Sequence, residues 1–247
     1  VKYVIKMTDL AGNEVTLDSV DSGCTVDTTD PAIKTGTTVS VVSDNALDAT
    51  DANLAISGDT VTLTFTASEE LHGTAANNTV TFTVGSGTAK TAVNLAATDT
   101  TNEYEASFDV ADGDNGIVKY VIKMTDLAGN EVTLDSVDSG CTVDTTAPAI
   151  DQDDQNANII TVASDNTLDA DTGNLALVGD TVTLTFTATE ELHGTPGTVQ
   201  FKVGNGTARD AVALSTTNNA NEYTADMTAV ADGENGIVKY KIIMTDL

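Results

Sequence analysis

The sequence predicts an all-β protein built from repeated antiparallel sandwich domains. Three observations predict it: verbatim repeats about one domain length apart, apolar residues alternating with threonine, and turns rich in glycine and aspartate between the alternating runs. VKYVIKMTDLAGNEVTLDSVDSGCTVDTT opens the chain at Val1 and returns unchanged from Val118 to Thr146; its start returns as VKYKIIMTDL from Val238 to Leu247. GDTVTLTFTA occupies 58–67 and 179–188, EELHGT 69–74 and 190–195, and ADGDNGIVKY at 111–120 is answered by ADGENGIVKY at 231–240. The period, about 120 residues, is a whole domain and exceeds the units of solenoids and propeller blades, roughly 20–50 residues long.

Taken in order, the elements read as strands. Val61, Leu63, Phe65 and Ala67 share one face while threonines take the other. Val80, Phe82 and Val84 alternate likewise, as do Tyr104, Ala106, Phe108 and Val110, and then Val118, Tyr120, Ile122 and Met124. A period of two marks half-buried strands, apolar side inward. Between them lie the turn formers SDNALDATDAN, GSGT, ADGDNG and DLAGN. Asp126–Asn130 (DLAGN) joins two of these runs as a hairpin turn, with Gly129 placed for positive φ. About seven strands per repeat suits a two-sheet sandwich.

The boundaries fall at CTVDTTDPAI and CTVDTTAPAI, where Pro31 and Pro148 suit the start of an edge strand or a linker. Residues 1–26 are expected to be the C-terminal strands of a preceding repeat, 27–143 a complete repeat, and 144–247 a following repeat lacking its last strand. The chain reads as a window on a longer repetitive protein.

So divided, the unit resembles the tandem Ig-like repeats of large secreted and cell-surface proteins, among them biofilm-associated and adhesin extender domains of bacteria. The pieces that carry the resemblance are VDTTAPAI at the domain entrance, GDTVTLTFTASEEL on an early strand and NGIVKYVIKMTDLAGNEVTL on the last hairpin. It implies Ig-like antiparallel β-sandwiches in a linear array, an extracellular or cell-surface location and a mechanical, non-enzymatic role. In some relatives Ca²⁺ stiffens the domain junctions.

Charge narrows the partners. Against 10 Lys and Arg stand 38 Asp and Glu, a formal net charge of −28. That excess repels nucleic acid and anionic membranes and offers carboxylates to divalent cations. Trp is absent and aromatics are 4%, so no aromatic platform for sugars or bases stands out. No apolar run reaches the roughly 18–20 residues of a membrane helix. The expected partners are other copies of the chain or neighbouring repeats, with no nucleic acid and no membrane insertion in this segment. No GxSxG, HExxH, P-loop or Rossmann fingerprint occurs, and no enzyme is expected.

Four sets of residues are candidates for chemistry. The first is acidic: Asp112 and Asp114 in DGDNG, Asp232 and Glu234 in DGENG, and Asp27, Asp30 and Asp144 near the boundaries, with Asp151, Asp153 and Asp154 beyond. Oxygen-rich loops suit Ca²⁺, the one candidate cofactor; ordinary turn chemistry accounts for the same residues. The second is Cys24 and Cys141, equivalent positions in successive copies. Separated by a bead of ~40 Å, they cannot meet the ~7 Å Cα limit of a disulfide. Each is either an inter-chain cross-link or a buried thiol at a strand end. The third is His72 and His193 beside paired glutamates, read as solvated loop residues. The fourth is Asn77 (NNT) and Asn205 (NGT), which match the N-glycosylation acceptor.

The functional expectation is a structural repeat region building a filament, stalk or surface appendage. The alternatives are a single-chain adhesin extender holding a distal binding domain, and a carbohydrate- or protein-binding module.

Overall fold

Every threonine–apolar run named above folds as a strand with its apolar residues inside. In the computed structural model Val61, Leu63, Phe65, Val80, Phe82, Val118, Ile122 and Met124 are all 2% exposed or less. The structure describes residues 1–48, 53–73, 75–151, 160–169 and 173–246. No α-helix occurs among them. The chain divides into two units, one comprising 1–45 and 49–145, the other 46–48 and 146–247.

The first unit opens with a hairpin of β1 (Lys2–Thr8) and β2 (Glu14–Asp21), which form a two-stranded sheet of their own. There follow β3 (Ser40–Ser43), β4 (Leu54–Ala55), β5 (Thr60–Thr66), β6 (Thr79–Val84), β7 (Val93–Asn94), β8 (Ala96–Ala97), β9 (Glu103–Asp109), β10 (Gly116–Thr125) and β11 (Glu131–Val143). One sheet has the order β3-β5-β9-β8, the other β4-β11-β10-β6-β7. A single core joins them, with Phe65, Tyr104 and Phe108 from the first sheet and Phe82, Ile122 and Cys141 from the second. Two sheets over one core make a sandwich. All pairs are antiparallel except β4–β11, where Thr142 and Val143 run parallel to Leu54 and Ala55.

Strand pairs as short as β4, β7 and β8 lie below what alternation can reveal. With them the repeat has nine strands against the expected seven or so. At DLAGN the hairpin turn is as read, with Gly129 at φ 96°. A closer constraint sits where β6 ends and β10 begins. A Cβ on Gly85 would lie 2.2 Å from the Asn115 carbonyl oxygen, and one on Gly116 would lie 2.8 Å from the Gly85 Cα. Backbone crosses backbone here, and only glycine leaves the room.

The second unit contains β12 (Ile160–Ser164), β13 (Val182–Thr187), β14 (Leu192–Val203), β15 (Val212–Ala213), β16 (Ser215–Thr216), β17 (Glu222–Met227) and β18 (Val238–Asp246). Its sheets run β12-β13-β17-β16 and β15-β14-β18 around Phe186, Phe201, Leu184 and Met227. The order repeats that of the first unit, with β18 in the place of β10. The glycine crossing repeats as well: a Cβ on Gly204 would be 2.4 Å from the Asn235 carbonyl oxygen, and one on Gly236 2.9 Å from the Gly204 Cα. No strand in the place of β11 pairs with β18 among the described residues.

Candidate metal centre

The DLAGN turn builds the centre's most rigid part. Asp126 is fully buried. Its Oδ1 accepts the backbone N–H groups of Ala128 (2.9 Å), Gly129 (2.7 Å) and Asn130 (2.8 Å), and its Oδ2 accepts the Asn130 side-chain amide at 2.7 Å. Burial by itself would push this carboxyl up. The Asn130 amide and the turn's backbone donors outweigh that and hold it below the ordinary aspartate value. Asp126 is therefore an ionised carboxylate in a fixed position.

A second carboxylate comes from the turn after β5. Ser68 donates its N–H to the Ala32 carbonyl at 2.7 Å and accepts the Ala32 N–H on Oγ at 3.0 Å. With the Ile33–Ala67 bridge, this fastens the domain entrance to the end of β5. Glu69 comes directly after Ser68. Asn130 ties down the third partner: its amide donates to the Thr29 carbonyl at 3.1 Å and reaches that of Asp27 at 3.5 Å. The result is a group in which carboxylate oxygens of Asp27, Glu69 and Asp126 lie within 4.8 Å of one another. Asp27 is exposed, Glu69 half-buried and Asp126 buried. Burial, then the charges of Asp27 and Asp126, push the Glu69 carboxyl up, against a lowering hydrogen bond from Ser68. Like charges crowd here, and a cation would relieve them. The donor set is all oxygen and suits a hard divalent ion such as Ca²⁺.

Of the acidic residues picked from sequence, Asp27 alone belongs to this cluster. Asp30 and Asp232 are exposed. Asp112 accepts the Ser57 hydroxyl. Asp114 pairs with Lys90 at 2.7 Å and accepts the Ala111 N–H. Glu234 pairs with Arg209 and accepts the Ala231 N–H. Burial opposes ionisation of Asp114, yet the Lys90 hydrogen bond and the Ala111 N–H lower its pKa; Glu234 is lowered by Arg209 first and then by Ala231. In the DGDNG and DGENG loops one carboxylate of each is thus matched by the protein's own cation, Asp114 by Lys90 and Glu234 by Arg209. Asp144 is half-buried, and its backbone N–H bonds to the Ala55 carbonyl. Asp151 is described, whereas Asp153 and Asp154 lie outside the described residues.

Glu69 and Asp126 escape a reading of the sequence because each has an adequate local role, as a solvated glutamate and as a turn aspartate. The available signal is their recurrence: Asp144, Glu190 and Asp246 hold the same places in the next copy. The side chain of Asp246 is outside the described residues.

Cys24 is exposed and Cys141 buried at 0% exposure. The Cys141 sulfur faces the core, so in the folded unit it serves as a small apolar residue and cannot reach a neighbouring chain. His72 is half-buried, and the side chain of His193 is outside the described residues. Asn77 is half-buried, its carbonyl accepting the Thr125 hydroxyl, while Asn205 is exposed in a turn.

No family model matches the sequence, and no curated protein matches it. Among solved structures the chain is similar to the titin domains Z1Z2 from their complex with telethonin. The identity is 12% over 90% of this chain and 98% of that one, with a TM-score of 0.29.

Proposed function

We propose that the chain is the structural repeat region of a long extracellular protein, in which Ig-like sandwiches joined end to end build a filament, stalk or surface appendage. The observation that carries this reading is the cluster of Asp27, Glu69 and Asp126. It places a residue of the boundary segment beside two carboxylates of the repeat it leads into. A divalent cation held there would fasten the chain's path into each domain. The strand order β3-β5-β9-β8 opposite β4-β11-β10-β6-β7, with its one parallel pair, supports the Ig-like reading. Verbatim repetition supports the mechanical one, since identical beads add length without adding a new surface. Asp126 would supply the fixed ligand, Glu69 the one most relieved by the ion, and Asp27 the one from the boundary.

Thermal melts in EDTA and in millimolar Ca²⁺ test this. Ca²⁺ at a hundredfold excess over its Kd should stabilise the first unit by about 2.7 kcal/mol. Glu69→Gln should lose most of that gain while folding normally in EDTA. A wild-type midpoint indifferent to Ca²⁺ would reduce the cluster to turn chemistry and remove the cation clamp.

A further inference from the structure

The chain enters and leaves the first sandwich on unequal terms. At the exit, β11 runs beside β10 and its last residues also pair with β4. The Thr142 N–H donates to the Asn53 carbonyl at 2.7 Å, and the Asp144 N–H to that of Ala55 at 2.9 Å. Cys141 and Val143 are 0% and 1% exposed. Thr145 is then latched: its N–H donates to the Asn115 Oδ1 at 2.9 Å, and its hydroxyl accepts the Gly113 N–H at 3.0 Å. At the entrance, residues 27–39 form no strand beyond the single Ile33–Ala67 bridge. Pro31 is buried, Ile33 and Val39 are half-buried, and the other ten are exposed.

The anchors of this entrance are slight. Ala32 and Ser68 exchange two bonds, the Lys34 N–H donates to the Thr66 carbonyl at 2.9 Å, and the Asn130 amide reaches Thr29 and Asp27. Such bonds contribute little net in water, and a segment with few buried apolar contacts opens ahead of its fold. Other bonds of the segment are local and survive opening: the Thr29 N–H donates to the Asp27 Oδ1, and Thr37 turns back to the Lys34 carbonyl. Against the anchors stands a load. Closing the entrance holds the Asp27 carboxylate within 4.8 Å of those of Glu69 and Asp126. Asp126 is ionised and fixed; burial first, and the Asp27 charge next, push the Glu69 carboxyl up. The second unit repeats the anchors. Thr189 stands in the place of Ser68, donating its N–H to the Ala149 carbonyl at 2.9 Å and accepting the Ala149 N–H at 3.1 Å, and Ile150 bridges Ala188.

We infer that residues 27–39 are a strap that opens while the sandwich stays folded, sprung by repulsion between Asp27 and the carboxylates of Glu69 and Asp126, and closed by cations. Opening breaks the bonds to Ser68, Thr66 and Asn130 and carries Asp27 away from the other two charges. It leaves β3 on β5, paired from Ser40 opposite Thr64 to Ser43 opposite Val61, so the sheet keeps its edge. It frees 13 residues, at most about 45 Å of extended chain. In the end-to-end reading above, each repeat would lengthen at its entrance before any core gives way. Dissolved salt closes the strap by screening the repulsion. A bound divalent ion closes it by cancelling the repulsion and ligating Asp27; this last step alone rests on the cation clamp.

Amide hydrogen exchange in the 247-residue chain tests the strap. In EDTA at about 10 mM NaCl, the amides of Ala32, Lys34 and Ser68 should exchange at least about tenfold faster than that of Thr142. Raising NaCl to about 1 M should slow these three at least about threefold more than Thr142. Asp27→Asn removes one charge and keeps the oxygen that accepts the Thr29 N–H. In EDTA it should slow the three amides, whereas loss of a merely structural contact would speed them. Ca²⁺ at about a hundredfold excess over its Kd should slow them about a hundredfold in the wild type and far less in Asp27→Asn. Strap amides that keep pace with Thr142 in EDTA would overturn the inference, as would faster exchange there in Asp27→Asn. Ca²⁺ that raises the melting midpoint without slowing the strap amides would overturn closure by the ion and leave the clamp standing. The clamp plays no part in EDTA, so its failure leaves the results there standing.

Discussion

Residues 1–29 and 118–146 are the same string of letters in two physical states. Ile5 and Met7 are 42% and 55% exposed, whereas their twins Ile122 and Met124 are at 0%. The hairpin geometry is common to both. β1–β2 and β10–β11 are antiparallel in equivalent registers and share one register shift, between Tyr3 and Ile5 in the first and between Tyr120 and Ile122 in the second, where another follows between Ile117 and Lys119. The two DLAGN turns also agree, for Asp9 accepts the N–H of Ala11 and Asn13 much as Asp126 accepts its own neighbours. Local sequence therefore sets strand, register and turn. Burial is set by the facing sheet, β3-β5-β9-β8, which β10–β11 packs against and which, among the described residues, has no counterpart over β1–β2. The hydrophobic contribution belongs to that pairing of sheets and not to the hairpin.

Because the two copies can be changed one at a time, the comparison can be broken experimentally. Ile122→Ala should cost the first unit about 2–5 kcal/mol through lost burial and the cavity left behind. The same substitution at Ile5 should stay within about 0.5 kcal/mol; urea unfolding followed by Tyr fluorescence measures both. Equal losses would mean that the β1–β2 face is covered in solution. Gly129→Ala sharpens the point about turns. Gly129 has φ 96° and open space around it, so the cost is conformational alone, about 1–2 kcal/mol. Gly12→Ala, at φ 88°, should leave the unfolding of the first unit unmoved and should speed amide exchange in residues 1–22.

The smallest effect is in pH. With its pKa raised above the ordinary 4.5, Glu69 weighs against the folded unit once ionised. In EDTA, stability should therefore rise as pH falls through that raised value. Asp126, held below 3.8, acts the opposite way: its contribution is present above 3.8 and is lost as pH falls through its depressed value. Glu69→Gln should abolish the rise and keep the loss, read from urea midpoints between about pH 7 and 3. A wild-type profile that falls monotonically would contradict the crowding of charge around Glu69.

Much of this architecture was legible because alternation and burial are the same fact seen twice. Each run with a period of two, from Val61 to Met124, supplies the core. The strands that stayed hidden, β4, β7 and β8, are too short to have a period. The carboxylate cluster stayed hidden for a different reason. Asp27, Glu69 and Asp126 are distant in the chain, and what unites them is a pair of Ser68 hydrogen bonds and one Asn130 side chain. The partners of the acidic loops stayed hidden too. Lys90 and Arg209, each well separated from its acid in sequence, neutralise Asp114 and Glu234 across space.

Copies of a domain within one gene are free to wander apart, and these have begun to. Lys90 with Asp114 in one becomes Arg209 with Glu234 in the other, a change of both partners that keeps the pair. The crossing of Gly85 over Gly116, matched by Gly204 over Gly236, allows no such trade, since any side chain at either place strikes main chain that cannot yield. Divergence must flow around these positions, and a newly sequenced copy that had lost them would have to fold some other way.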